Sequence, residues 1–242
     1  MLNAIIQDYF YTPIRNTDIK GWENVPIREC NEKLVSLSTF LNNRVYIDST
    51  YHQNQVSGSI EDCFTRISVA RLLRHALGFL PDGYTFRIFD AWRPFAVQES
   101  LFLDYFNKLK LEHPNKSQKD IMELTKTFVS YPSDDPYRPS PHLTGGSIDL
   151  TIVTQQNDPI DMGTEFDDFS EAAKTGFFEK KIQNGETLTS IEMEQCKNRR
   201  FLYNVMTSVG FTNYPNEWWH FDFGNQFWGC IKKKLAFYSI VI

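Results

Sequence analysis

Between Ser147 and Val153 the chain alternates without a break: Ile148, Leu150 and Ile152 fall on one face, Ser147, Asp149 and Thr151 on the other. A period of two is that of a β-strand. This stretch is therefore predicted to be a strand that packs its aliphatic face on a core and offers a candidate buried carboxylate, Asp149, on the second. Other elements are read around it. Tyr84–Asp90 has the aromatic and β-branched content of another strand. Ile67, Ala70, Leu72, Leu73 and Leu77 approximate helical spacing within Phe64–Phe79, and Pro81-Asp82-Gly83 then stops the chain. Pro94 opens a helix towards Leu109, a further helix covers Ser117–Phe128, and Tyr131–Pro141, with four prolines, is loop. Thr189 and Glu192 can form a capping box for a helix reaching about Ser208, with Gly210 as its stop. Trp218–Phe223 reads as a strand with His220 and Asp222 on one side.

Helices and strands are intermixed, but short βα spacings do not recur. The expected class is α+β, a central antiparallel sheet flanked by helices. No internal repeat or low-complexity linker divides the chain, so one domain is expected over residues 1–242, with 1–45 the least assignable part.

Composition narrows the function classes. A formal net charge of −5 argues against a nucleic-acid partner, and the short run Lys232-Lys233-Lys234 reads as a solvated turn. Cys30, Cys63, Cys196 and Cys230 contain no C-x-x-C pair, so they are read as reduced, structural thiols. Met1–Pro13 lacks a basic leader region and Asp8 interrupts its apolar stretch, which points to a cytoplasmic protein without an ordinary signal peptide. Leu235–Ile242 is apolar but far short of the roughly 20 residues of a membrane span. It is expected to be a terminal strand or a tail packed on the core, and no membrane partner is expected.

Two short segments carry chemistry. In Ser140-Pro141-His142-Leu143-Thr144-Gly145-Gly146-Ser147-Ile148-Asp149 a glycine-containing turn can bring an imidazole and a strand carboxylate to one metal, although this stretch alone equally describes a plain hairpin. In Glu217-Trp218-Trp219-His220, Pro215 and Asn216 are expected to bend the chain and swing Glu217 to the side of His220. Two neutral imidazoles and one carboxylate, His142, Asp149 and His220, make a tetrahedral zinc set with one position left open, the mark of a catalytic rather than a structural site. Such a metal lowers the pKa of a bound water towards about 7, and Glu217 is the free carboxylate that can take its proton and later return it to a leaving amine. Arg93, before Pro94, is biased to an extended conformation at a strand-to-helix corner, where a permanent cation or an ordinary surface salt bridge are the two readings. Asp167 lies in an acidic run with Glu165 and Asp168 that on its own describes a solvated loop. His52, His75 and His113 have no ligand-spaced partner and are set aside.

The pattern S-x-H-x-x-G-x-x-x-D followed by E-W-W-H resembles the D-alanyl-D-alanine dipeptidases of the VanX type, relatives of the zinc D,D-carboxypeptidases and of the hedgehog fold. Asp90-Ala91-Trp92-Arg93-Pro94, Met162-Gly163-Thr164-Glu165-Phe166-Asp167 and Asn198-Arg199-Arg200 extend the likeness in the same order, over roughly Asp48 to Phe221. The resemblance implies one zinc per chain on His142, Asp149 and His220. It further implies Glu217 as catalytic base, Arg93 as the cation that steadies the tetrahedral intermediate, and Ser140 and Asp167 as acceptors of the dipeptide's amino group. Tyr51, in Asp48-Ser49-Thr50-Tyr51, matches a pocket-lining tyrosine, although His52-Gln53-Asn54-Gln55 departs from the family's usual continuation. The implied activity is hydrolysis of D-Ala-D-Ala or a close D,D-dipeptide. The rivals are a D,D-carboxypeptidase or murein-trimming peptidase on the same fold, and a zinc-stabilised binding domain without catalysis.

Overall fold

The computed structural model describes residues 2–42 and 44–241; Met1 and Ile242, the outer ends of the expected leaderless N-terminus and apolar tail, lie outside the described residues. The helices are α1 (Leu2–Tyr11), α2 (Leu37–Phe40), α3 (Thr50–Gln53), α4 (Ile67–Ala76), α5 (Phe95–Glu112), α6 (Gln118–Phe128), α7 (Phe177–Gln183), α8 (Ser190–Ser208) and α9 (Gln226–Lys232). The strands are β1 (Leu34–Ser36), β2 (Tyr46–Ile47), β3 (Phe64–Arg66), β4 (Tyr84–Asp90), β5 (Ser147–Thr154), β6 (Thr212–Asn213) and β7 (His220–Asp222).

The main sheet has the order β2-β4-β5-β7-β6. Its β4–β5, β5–β7 and β6–β7 pairs are antiparallel, while β2 runs parallel to β4. The α+β class holds, with one parallel edge pair in an otherwise antiparallel sheet. β1 and β3 form a separate antiparallel ribbon.

Local signals place several elements closely. Ser117 caps α6 by accepting the Asp120 N–H, and Thr189 and Glu192 form the reciprocal capping box that starts α8. The predicted helix over Phe64–Phe79 begins only at Ile67, because Phe64–Arg66 pairs with Leu34–Ser36. Apolar spacing within one segment carries no information about a partner strand distant in sequence. The strand predicted from Trp218 starts at His220, because the Tyr214 N–H donates to the His220 carbonyl and the Glu217 N–H to the Tyr214 carbonyl, closing a turn before it.

Phe86 and Ile88 of β4 stand beside Ile152 and Leu150 of β5, and Ile148 beside Phe221 of β7. This face is fully buried against Val69, Ala70 and Leu73 of α4 and Leu202, Val205 and Met206 of α8. Truncating Leu73, Leu202 or Met206 to Ala carries the usual cost of about 2–5 kcal/mol. The opposite face of β5 is buried as well and carries Ser147, Asp149 and Thr151. The expected C-terminal tail packs on the core: Ala236 and Tyr238 are fully buried, and Ala236 makes one parallel bridge to Ile27. Among the described residues, no helix is long and apolar enough to cross a membrane.

Candidate active site

Strand register delivers the site. Asp149 of β5 stands opposite His220 of β7 on one side and Asp90 of β4 on the other. His142 arrives from a single helical turn, Pro141–Thr144, that leads through Gly145 and Gly146 into β5. His142 Nε2 lies 3.3 Å from Asp149 Oδ2, and His220 Nδ1 lies 3.0 Å from Asp149 Oδ1. One ligand atom from each of these buried residues falls within 4.8 Å of the others.

The outward contacts settle the ring protons. His142 Nδ1 is 2.7 Å from the Ala91 carbonyl, which can only accept, so the proton sits there and Nε2 turns a lone pair inward. His220 Nε2 is 3.0 Å from Asp222 Oδ1, which leaves the His220 Nδ1 lone pair facing in. The two inward nitrogens are 3.1 Å apart. Asp149 Oδ1 is buried without a hydrogen-bond partner. Three electron-rich atoms converging in a dry interior, with no donor among them, repel one another unless a cation stands between them. The donor set fits zinc, and the outer partners Ala91 and Asp222 are of the kind that orient metal-binding imidazoles. A proton on His220 can serve as that cation: burial opposes the charge, yet Asp222 and Asp149 outweigh it and hold the His220 pKa well above the ordinary imidazole value. Asp149, despite burial, is held well below the ordinary carboxylate range by His142 and His220.

Arg93 is buried beside this set. Its Nε donates to Asp90 Oδ2 at 2.8 Å, Nη1 to Gln98 Oε1 at 2.7 Å and Nη2 to the Tyr51 hydroxyl at 3.3 Å, and Nη2 is 3.5 Å from Asp149 Oδ2. Gln98 is in turn fixed by donating to the Ser130 carbonyl. Tyr51 donates to Asp167 Oδ2 at 2.9 Å. Burial pushes the Asp167 carboxyl up to about 7, against the pull of Arg93. Asp167 has a left-handed backbone, φ 60°, which an Asp tolerates better than most residues.

Glu217 Oε2 lies 3.8 Å from His220 Nδ1, so the bend before β7 does bring this carboxyl to the imidazole's side. Burial pushes Glu217 up to about 8, with His220 drawing it down and Asp149 and Asp167 raising it. Buried Asn213 holds the bend by donating to the carbonyls of Glu217 at 3.1 Å and His220 at 2.9 Å. Tyr51, Arg93, Asp149, Asp167, Glu217 and both histidines line one cavity of about 290 Å³, closed on its far wall by α5. Ser140 is the exception. Its hydroxyl accepts the Ser133 N–H at 2.9 Å and reaches the Tyr131 carbonyl at 3.4 Å, and it does not line the cavity. Asn213, Gln98 and the outer role of Asp222 were not singled out from sequence; a polar residue in a helix or strand announces its partner only once the partner is in place.

A buried pair of imidazoles and a carboxylate, with a second carboxyl and a fixed guanidinium at the rim, defines a metal-dependent hydrolase. Residues 45–238 match the D-ala-D-ala dipeptidase family, peptidase family M15, and the chain belongs to that family of zinc metallopeptidases. It is thus a hydrolytic peptidase. A D-alanyl-D-alanine dipeptidase of Synechocystis sp. is 28% identical over 88% of this chain and 90% of its own. One of Enterococcus faecium is 24% identical over 71% and 75%, and one of Escherichia coli is 31% identical over 34% and 37%. Among solved structures, a variant of the vancomycin-resistance D,D-pentapeptidase VanY in complex with Zn(II) aligns over 89% of this chain and 88% of that one, at 13% identity and a TM-score of 0.45.

Proposed function

We propose that this chain is a dipeptidase that hydrolyses D-Ala-D-Ala or a closely related D,D-dipeptide, with one zinc ion held by His142, Asp149 and His220. The observation that carries the reading is the union, in one cavity, of that converging ligand set with the Arg93–Tyr51–Asp167 chain. The activity of the named relatives supports the substrate. Zinc, when bound, supplies Lewis acidity at the scissile carbonyl and acidifies the attacking water. Glu217 accepts the proton of that water and passes it to the leaving amine. Arg93, immobilised by Asp90, Gln98 and Tyr51, holds positive charge where negative charge develops on the carbonyl oxygen, a contribution of about 3–4 kcal/mol for a well-placed donor.

Asp167 receives the substrate's ammonium, which selects short peptides with a free amino end. Tyr51 orients that carboxylate. Ser140 enters this reading as a brace of the 131–141 loop, since it accepts from Ser133 within that loop and does not line the cavity. The setting proposed is a reducing cytoplasm, in keeping with four unpaired cysteines.

The test is kcat/KM of the zinc-loaded protein for D-Ala-D-Ala and for its N-acetyl form, followed by release of D-alanine. An acylated substrate deprives Asp167 of its ammonium partner and leaves it only the Tyr51 hydroxyl, so a preference for the free dipeptide on the order of 10³-fold is expected. Comparable hydrolysis of the two would indicate a D,D-carboxypeptidase. Zinc binding without hydrolysis of either would indicate a binding domain.

A further inference from the structure

We infer that Arg66 is a positioning residue for the metal centre, clamping the His142 turn to two segments distant in sequence, Glu29–Glu32 and Ser239. The inference rests on the zinc reading above. Asp149 and His220 sit on paired strands, whereas His142 is carried by a short turn, so it is the ligand whose place depends on what surrounds that turn.

Three consecutive carbonyls of the turn each receive a donor from outside it. The Val241 N–H donates to Leu143 at 3.2 Å, Arg66 Nε to Thr144 at 2.8 Å, and the Arg66 backbone N–H to Gly145 at 3.0 Å. These are carbonyls that a single helical turn cannot satisfy itself. The buried Arg66 guanidinium also donates to the Ser239 carbonyl at 3.0 Å and the Glu32 carbonyl, and it faces the Glu29 carboxylate at 3.2 and 3.3 Å. The Ser239 N–H and hydroxyl bind the Glu29 carboxylate and the Pro136 carbonyl. One side chain thus ties Glu29, Glu32 and Ser239 to the turn that carries His142, and the Val241 N–H binds the same turn directly.

The fit leaves no slack. A Cβ on Gly145, where φ is 70°, would lie 2.6 Å from Leu34 Cδ2, and one on Gly146 would lie 2.5 Å from the Phe223 carbonyl oxygen. The family match covers 45–238, so Arg66 lies within it, but Glu29, Glu32, Ser239 and Val241 do not.

The experiment measures zinc affinity by competition with a chromophoric chelator, together with thermal unfolding of the metal-free proteins, for Arg66→Gln, Glu29→Gln and Val241→Pro. Arg66→Gln is expected to weaken zinc binding about 10-fold, the lower end of what losing a ligand's own hydrogen-bond partner costs, because Arg66 acts on His142 through the backbone of its turn. The other two should weaken it several-fold, and Glu29→Gln should add nothing in the Arg66→Gln background. Arg199→Gln is the control. It removes another buried guanidinium that holds three carbonyls, those of Met162, Ala172 and Lys174, away from the turn, and should lower the melting temperature while leaving zinc affinity within twofold. Should Arg66→Gln fail to fold, Glu29→Gln, which loosens the guanidinium itself, decides the matter. Variants that melt earlier yet bind zinc within twofold of the unmodified protein would make Arg66 merely structural and overturn the inference. If the unmodified protein binds no zinc, the dipeptidase reading itself falls, and this inference with it.

Discussion

The Tyr51 hydroxyl donates to Asp167 Oδ2 across 2.9 Å while it receives Arg93 Nη2 at 3.3 Å. One phenol therefore connects the guanidinium beside the metal-ligand set to the carboxylate at the amino-binding end. Tyr51→Phe should remove a bond that favours the ionised carboxylate, raise the Asp167 pKa further and lower kcat/KM about tenfold near neutral pH. A pH–rate profile checks it: the acid limb should move to higher pH. An unmoved limb would separate Tyr51 from Asp167 in function.

Asp167 itself links activity to stability. Its folded pKa of about 7 stands above the ordinary value of 3.8, so the folded chain holds a proton there that the unfolded chain has already released. Stability falls as pH rises between those values, and the full penalty is present above about 7. Asp167→Asn should therefore raise the melting temperature of the metal-free protein by a few degrees at pH 8 and by little at pH 4, while harming hydrolysis of the free dipeptide most. A gain in stability that shrinks with rising pH would contradict the assignment.

Glu217→Gln keeps the shape of a side chain placed 3.8 Å from His220 Nδ1 but removes its capacity to accept a proton. Turnover should drop by about 10²-fold to 10⁴-fold with one zinc retained per chain. Near-normal turnover in this variant would favour a binding domain.

Asp222 fixes the His220 ring proton and itself receives Ser147 Oγ at 2.7 Å and Asn225 Nδ2 at 2.6 Å. Asp222→Asn should weaken zinc binding about 10-fold to 100-fold, whereas His142→Ala and His220→Ala should abolish it. Chelator competition measures all three. Full zinc content in the two histidine variants would refute the ligand set.

Ser140→Ala removes a loop hydroxyl bound to Tyr131 and Ser133. The expected result is a melting temperature lower by a few degrees with KM for D-Ala-D-Ala changed less than twofold. A tenfold rise in KM at unchanged stability would restore Ser140 to the amino-binding site.

What could be read in the sequence was local. Strict alternation places Ile148, Leu150 and Ile152 on the aliphatic core face of β5, and side-chain caps at Ser117 and Thr189 start α6 and α8, because period and capping act within one segment. The two short motifs name His142, Asp149, Glu217 and His220, and these do meet around one cavity. Tertiary structure alone decided the rest. The ring proton of His142 depends on Ala91 and that of His220 on Asp222. Ser140 is drawn into its own loop, and Phe64–Arg66 is a strand only because Leu34–Ser36 lies beside it. Glu29, Glu32 and Ser239, unremarkable as sequence, close on Arg66 behind the metal-ligand turn. The physical reason is common to all of these: periodicity reports which face of one segment is buried, whereas register and hydrogen-bond partners are settled by the packing of segments far apart in the chain.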